Sequence, residues 1–279
     1  MSAHAVQSVV ATDRGLLSPY NEMAPAQLLD YFRARTHVHY FPVPDAEETR
    51  PEKIEAIMHC RFELNGESYQ MPEPMDWLTN PSPDVEWHIV LHKFYYAVGL
   101  GIAYGARQEA RYVTRWMSLT SSWIKQTPVG FIAADVTGRR VQNWIYAYYY
   151  FISQAPAAPV CPDFHDRFLA SLCEQVNFLC DNLTPARNHR TLELYAIFLA
   201  SVVFPEFRDA ARWRELSVTE LAKNIQSDLL PDGVHIELST DYHHLVLKNF
   251  LNVRRLAQLN AIVMPAEFDA RLVHGLEFS

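Results

Sequence analysis

The chain has 279 residues, of which 49% are hydrophobic and 13% aromatic, with only 9 glycines; this composition excludes a disordered chain, a collagen-like repeat and a turn-rich all-β design. Roughly three quarters of the unfolded surface can be buried at this length, so one large domain, or one with a small appendage, is expected. A net charge of −8 with dispersed lysines and arginines excludes nucleic acid and a membrane surface as partners, while a focused pocket of arginine, histidine and amide groups can still take an anionic sugar.

Residues 1–83 read as an irregular arm lying on the main body. The opening stretch, MSAHAVQSVVATDRGLLSPY, lacks a basic start followed by an apolar run, so no signal peptide is visible and the face-value location is cytoplasmic. A short helix is expected over 25–35, an extended proline-bearing piece at HYFPVP (39–44), and another helix from Pro51. RFELNGESYQ alternates apolar and polar residues around Asn65-Gly66, a hairpin signal.

From Glu86 onward the pattern becomes one of amphipathic helices, expected near 86–106, 108–126, 135–154, 163–183, 187–204, 206–228, 240–260 and 266–276. Many prolines fall at the expected helix starts, where the missing N–H costs nothing. Short connections make neighbouring helices antiparallel hairpins. The class is therefore all-α, and a bundle, a solenoid or a toroid of hairpins all fit; the lack of a fixed-period repeat weakens the regular solenoids. No window reaches the roughly 18 uninterrupted apolar residues of a membrane span.

Aromatics concentrate at 92–104 and in WIYAYYYF (144–151). Core packing is the plain explanation for Phe94, Trp144, Ile145 and Tyr148. Six aromatics within eight residues cannot all face one way on a helix, because successive residues turn by about 100°. Some of Tyr146, Tyr149 and Tyr150 should reach a surface, where such rings stack on sugars. The four cysteines show no CxxC pairing, so neither a disulfide framework nor a zinc knuckle is expected.

Two stretches carry chemistry. PARNHRTLELY (185–195) places Arg187, Asn188, His189 and Arg190 at the mouth of an apolar helix. An asparagine there caps a helix as a matter of course, but four donor-capable side chains in a row exceed what capping requires, and a helix N-terminus favours a bound anion. DGVHIELSTDYHH (232–244) then gathers His235, Glu237, Tyr242, His243 and His244 beside another helix start. Taken singly, each is an ordinary loop residue. A metal site is disfavoured: no HExxH spacing is present, and adjacent helical histidines diverge by about 100°. No metal or cofactor is expected. GxSxG, P-loop and GxGxxG motifs are absent too. Asn, His and Tyr together suit proton abstraction beside a carboxylate: donors neutralise the carboxylate so that the enolate-like intermediate is reachable, and Tyr moves protons. On a uronic acid, loss of the C5 proton expels the glycosidic oxygen at C4.

These residues resemble the N-terminal helical domain of the heparinase II/III-like polysaccharide lyases, which include oligoalginate lyases. The matching pieces are PMDWLTNPSPDVEWHIVLHKFYYAVGLGIAYG (74–105), SSWIKQTP (121–128), the RxxNW segment Arg140–Trp144, the Asn188-His189 pair and DGVHIELSTDYHH (232–244). The resemblance implies an incomplete (α/α) toroid over 84–279; the C-terminal β-sheet domain usual in the family is absent from this chain. It also implies that Asn188, His189 and Tyr242 are catalytic. Arg140 and Glu237 carry over as substrate-binding, joining Arg187, Arg190, His243 and Tyr146 from the residues themselves. The expected partner is an anionic polysaccharide or oligosaccharide. Family members usually act in the periplasm or outside the cell. Two further readings compete with a lyase: a glycan-binding or polysaccharide-biosynthesis domain without turnover, and a helical scaffold for protein partners.

Overall fold

Proline at the first helical position and a side-chain cap start the first α-helix. In the computed structural model, which describes residues 13–279, α1 (Pro25–Ala34) opens with Pro25, and the Gln27 side chain accepts the Ala24 N–H at 3.2 Å. Residues 1–12, most of the stretch read for a signal peptide, lie outside the described residues. Helix α1 buries Leu28, Leu29 and Phe32, and α2 (Pro51–Ile57) buries Ile54 and Ile57. The expected hairpin forms from β1 (Arg61–Leu64) and β2 (Glu67–Gln70), antiparallel with Leu64 opposite Glu67. Its turn residues Asn65 and Gly66 have φ of 48° and 78°, the left-handed pair that a two-residue hairpin of this hand requires.

The expected single helix over 86–106 is two. Helix α3 (Val85–Lys93) ends at Phe94, whose φ is 60°, and α4 (Tyr95–Arg107) restarts immediately. Breaking a helix frees its last carbonyls, and here three of them find donors. The Tyr96 hydroxyl donates to the Leu91 carbonyl (3.2 Å), the Arg140 guanidinium to that of His92 (3.2 Å) and the Asn143 amide to that of Lys93 (2.7 Å). Phe94 itself stacks on Trp77, with ring centres 5.3 Å apart, and meets Trp144 edge-on. The corner is thus held by polar and aromatic contacts at once.

The remaining helices are α5 (Ala110–Gln126), α6 (Ala134–Tyr148), α7 (Pro162–Asp181), α8 (Arg187–Val203), α9 (Ala210–Asp228), α10 (Thr240–Leu259) and α11 (Ala266–Phe278). Helix α6 passes into a π-helical turn at Tyr149–Ser153. The helices pair as consecutive hairpins, α4 with α5, α6 with α7, α8 with α9 and α10 with α11. Helices α4, α6, α8 and α10 neighbour one another in that order and form an inner layer; α5, α7, α9 and α11 lie outside. This is an incomplete (α/α) toroid. Burial agrees, because α6 and α8 are buried on nearly every face, as inner helices must be. Tyr146 and Tyr148 are accordingly buried, and only Tyr149 and Tyr150 are half-exposed. Up-and-down alternation brings the N-termini of α6, α8 and α10 to one end of the inner layer.

One continuous core joins the toroid to the arm: Phe32, Phe62 and Trp77 pack in the same apolar cluster as Trp116, Trp144 and Phe198. The arm is also tied by buried polar contacts. The Arg35–Glu206 ion pair at 3.0 Å fixes the end of α1 to the α8–α9 turn, and the Trp77 indole donates to the Ser122 hydroxyl at 2.7 Å. No described helix is long and apolar enough to cross a membrane.

Candidate active site

The mouth of α8 is built from the residues that the sequence placed there. Asn188 is the second residue of the helix and Glu237 lies in the loop before α10; the Asn188 amide donates to the two Glu237 carboxylate oxygens at 2.9 and 3.2 Å, and its backbone N–H faces the nearer one at 3.4 Å. A carboxylate therefore sits where the unsatisfied N–H groups and the helix dipole favour one. Both flanks of this pair are left-handed: Arg187 has φ 72° and Leu238 has φ 53°. A non-glycine residue pays about 1–3 kcal/mol for such a conformation, which surroundings must hold in place.

The loop below Glu237 supplies that hold. The Ile236 N–H donates to the Asp228 carbonyl (2.8 Å), the Glu237 N–H to the His235 Nδ1 (3.3 Å) and the Leu238 N–H to the His235 carbonyl (2.9 Å). Gly233 turns the loop at φ 91°, where a Cβ would lie 2.2 Å from the His274 carbonyl. His235 is fully buried and its Nε2 has no partner. Burial holds its ring below the usual histidine range, against the opposing pull of Asp228 and Glu237. His235 is thus a neutral prop under Glu237. Beneath it, Asp228 is buried, accepts from Asn224 at 2.8 Å and Thr191 at 3.3 Å, and is pushed above the ordinary carboxylate range by burial.

His189 follows Asn188 and is half exposed. Its Nδ1 lies 3.0 Å from the Asp135 carboxylate, in the first turn of α6. This contact sets the half-exposed ring beside the first turn of α6. Sequence reasoning missed Asp135: it looked like an ordinary acidic residue near a helix start, and only the side-by-side placement of α6 and α8 gives it a partner. Tyr242 is the third residue of α10, whose cap Ser239 accepts its N–H at 3.4 Å, and its side chain is 45% exposed. Glu237, five residues earlier, is pinned to Asn188, so the intervening chain can separate Tyr242 from it by no more than about 18 Å. Arg187 is exposed beside Asn188.

Four residues expected at the substrate lie away from the Asn188 mouth. Arg140 is 1% exposed; it sits 4.1 Å over the Trp123 ring and donates to Gln175, Thr137 and the His92 carbonyl, so it closes the α3–α4 corner and reaches no cleft. Placed at the C-terminus of α3, its charge meets the negative end of a helix dipole, which accounts for a buried arginine with no carboxylate beside it. Arg190 is engaged by Glu220 at 2.7 Å and by the Thr184 carbonyl at 2.8 Å. His243 is buried, packed on Phe278 with its Nε2 3.0 Å from the Ser279 hydroxyl. Tyr146 is buried, and its hydroxyl meets that of Tyr195 at 2.9 Å beside a small hollow. Among the described residues no three His, Cys, Asp or Glu side chains are grouped to hold a metal ion.

The family model described as heparinase II/III N-terminus matches residues 15–279. The chain belongs to the heparinase II/III family. A heparin-sulfate lyase from Pedobacter heparinus is 27% identical over 273 residues, covering 95% of this chain and 40% of that protein. One from Bacteroides stercoris is 25% identical over 270 residues, covering 85% and 40%. The chain thus spans about 40% of the length of the curated relatives it matches. Among solved structures, a heparinase III superimposes with a TM-score of 0.80 at 22% identity, over 91% of this chain and 42% of that one. A heparan sulfate lyase from Pedobacter heparinus gives 0.75 at 23% identity, over 91% and 43%. At this identity the likeness speaks for the toroid fold, which the heparinase II/III chain shares.

Proposed function

We propose that this protein acts as a polysaccharide lyase, cleaving a uronic-acid-containing polysaccharide by β-elimination. The observation that carries the reading is the α8 mouth: an asparagine amide and a helix N-terminus already arranged around a carboxylate, with the half-exposed His189 ring beside them and the Tyr242 phenol exposed at the next helix start. The heparin-sulfate lyase names of the relatives support a polymer of the heparin-sulfate kind as the substrate class.

In this reading Asn188 and His189 neutralise the uronate carboxylate as hydrogen-bond donors. Neutralisation lets negative charge move from C5 into the carboxylate as the C5 proton leaves. Tyr242 is the proton-transfer group: its phenolate takes the C5 proton and, as the phenol, returns it to the departing O4 on the same face of the sugar. The C4–O4 bond breaks, a C4=C5 double bond forms, and no water is consumed. Glu237 orients the Asn188 amide, and Arg187 adds positive charge at the rim.

The test is incubation with heparan sulfate, hyaluronan and alginate, followed by the ultraviolet absorbance of the unsaturated uronate. Wild-type product that disappears in Tyr242→Phe supports the assignment. Equal activity of both proteins rejects Tyr242. Saturable oligosaccharide binding that Asn188→Ala weakens, with no product from any polymer, supports the glycan-binding domain instead.

A further inference from the structure

The helices that begin at the Asn188 mouth carry further polar residues along their length. On α10, Tyr242, Leu245 and Asn249 are spaced by three and four residues and share a face; on α8, Tyr195 follows Asn188 by seven, and on α6, Arg139 follows Asp135 by four. Seven residues of helix advance about 10 Å. At that depth these three helices, Tyr95 at the start of α4 and the Asp45 loop line a hollow of about 90 Å³, room for a compact group rather than for a length of polymer.

Its walls offer donors. Arg139 donates one N–H to Gln142 at 2.8 Å, and neither Arg139 nor Lys248 has a carboxylate within ion-pair distance among the described residues. Asn249 is 4% exposed and its Nδ2 has no hydrogen-bond partner, an arrangement that costs about 1–3 kcal/mol unless a ligand completes it. The hydroxyls of Tyr146 and Tyr195 lie 2.9 Å apart; one O–H is used between them and the other remains to be donated. The one acid at the rim, Asp45, accepts the N–H groups of Glu47 and Glu48. Two unpaired cations, a buried amide without an acceptor and a spare hydroxyl select an oxyanion.

We propose that this hollow is a second subsite, receiving a sulfate or carboxylate group of a sugar unit about 10 Å along the chain from the one held at Asn188. Arg139 and Lys248 supply the charge, and Asn249 and the tyrosine pair fix the orientation. Occupancy would make the protein read the substituent pattern of a polymer, not only its uronate. The inference rests on the carbohydrate reading of the Asn188 mouth.

Calorimetric titration with a sulfated uronate-containing tetrasaccharide and its desulfated counterpart tests it, using wild type, Arg139→Gln, Lys248→Gln and Asn188→Ala. Lys248 is exposed, so its substitution leaves folding intact. Lys248→Gln should weaken the sulfated ligand about tenfold. Loss confined to the sulfated ligand identifies the lodged group as sulfate; equal loss with both identifies a carboxylate, and either result supports the subsite. Wild-type affinity in both Arg139→Gln and Lys248→Gln, with Asn188→Ala still impaired, overturns the subsite and leaves the Asn188 reading standing. Impairment by Lys248→Gln with Asn188→Ala unaffected does the reverse. No binding of either ligand by wild type removes both.

Discussion

Arg140 with Asn143 on α6 and Arg187 with Asn188 on α8 are the same residue types, and each pair lies where a helix begins or ends. On α6 the side chains meet the carbonyls that the broken α3 releases, so both are engaged inside the protein. On α8 the neighbouring helix end offers N–H groups instead, and the asparagine turns to the one carboxylate within reach, Glu237. The difference lies in what faces the donor: a helix C-terminus uses it up, whereas a helix N-terminus competes for the same anion. Chemistry is accordingly expected from the α8 pair and rigidity from the α6 pair.

Substitutions should separate the two. The largest effect is expected from Tyr242→Phe, which should lower turnover about 10²–10⁴-fold, the usual worth of a proton-transfer group, with an unchanged urea midpoint; a lowered midpoint would move Tyr242 from the chemistry to the fold. Arg140→Met should do the opposite. It leaves the His92 carbonyl and the Gln175 and Thr137 side chains short of a donor, and about 3 kcal/mol of stability should go in urea unfolding. A loss under about 0.5 kcal/mol would show that the corner does not need it. Asn188→Ala should cost about 100-fold in kcat/KM, near 2.7 kcal/mol of transition-state binding, measured on the same polymer, and less than about 1 kcal/mol of stability.

The smallest effect per step concerns protonation. Burial, with the nearby positive groups, lowers the rings of His92 and His165 to about 3 each. Below about 6.5 the unfolded chain takes up protons that these rings refuse in the fold, so stability falls as pH drops from there toward 3. The slope is about 1.4 kcal/mol per pH unit for each ring. Thermal unfolding across that range should show it, and His165→Phe should make the slope shallower. An unchanged slope would assign the acid sensitivity to other groups.

Most of the toroid was legible because long amphipathic helices with proline starts carry their own period, and the Asn-Gly hairpin carries its own turn. The corner at Phe94 was not. Neither glycine nor proline marks it, and it is imposed by the stacking of Trp77 and by donors from α6, fifty residues away in sequence. At the site, Asn188, Glu237 and His189 stood out because polar residues gathered beside apolar helices. Asp135 did not, since its partner comes from another helix. Arg140, Arg190 and His243 were misplaced for one shared reason: residue type announces an affinity for anions or carbonyls, while the partner that satisfies it is a property of the packed structure.

The Asn188–Glu237 contact bears on how any saccharide would be received. The socket at the head of α8 is never vacant in the resting protein, because an internal tenant already sits on the amide and fixes its rotamer. A visiting uronate is therefore weighed against that tenant, not against water. What tips the exchange is the company each carboxylate keeps: the loop prop for one, the rest of the sugar chain for the other.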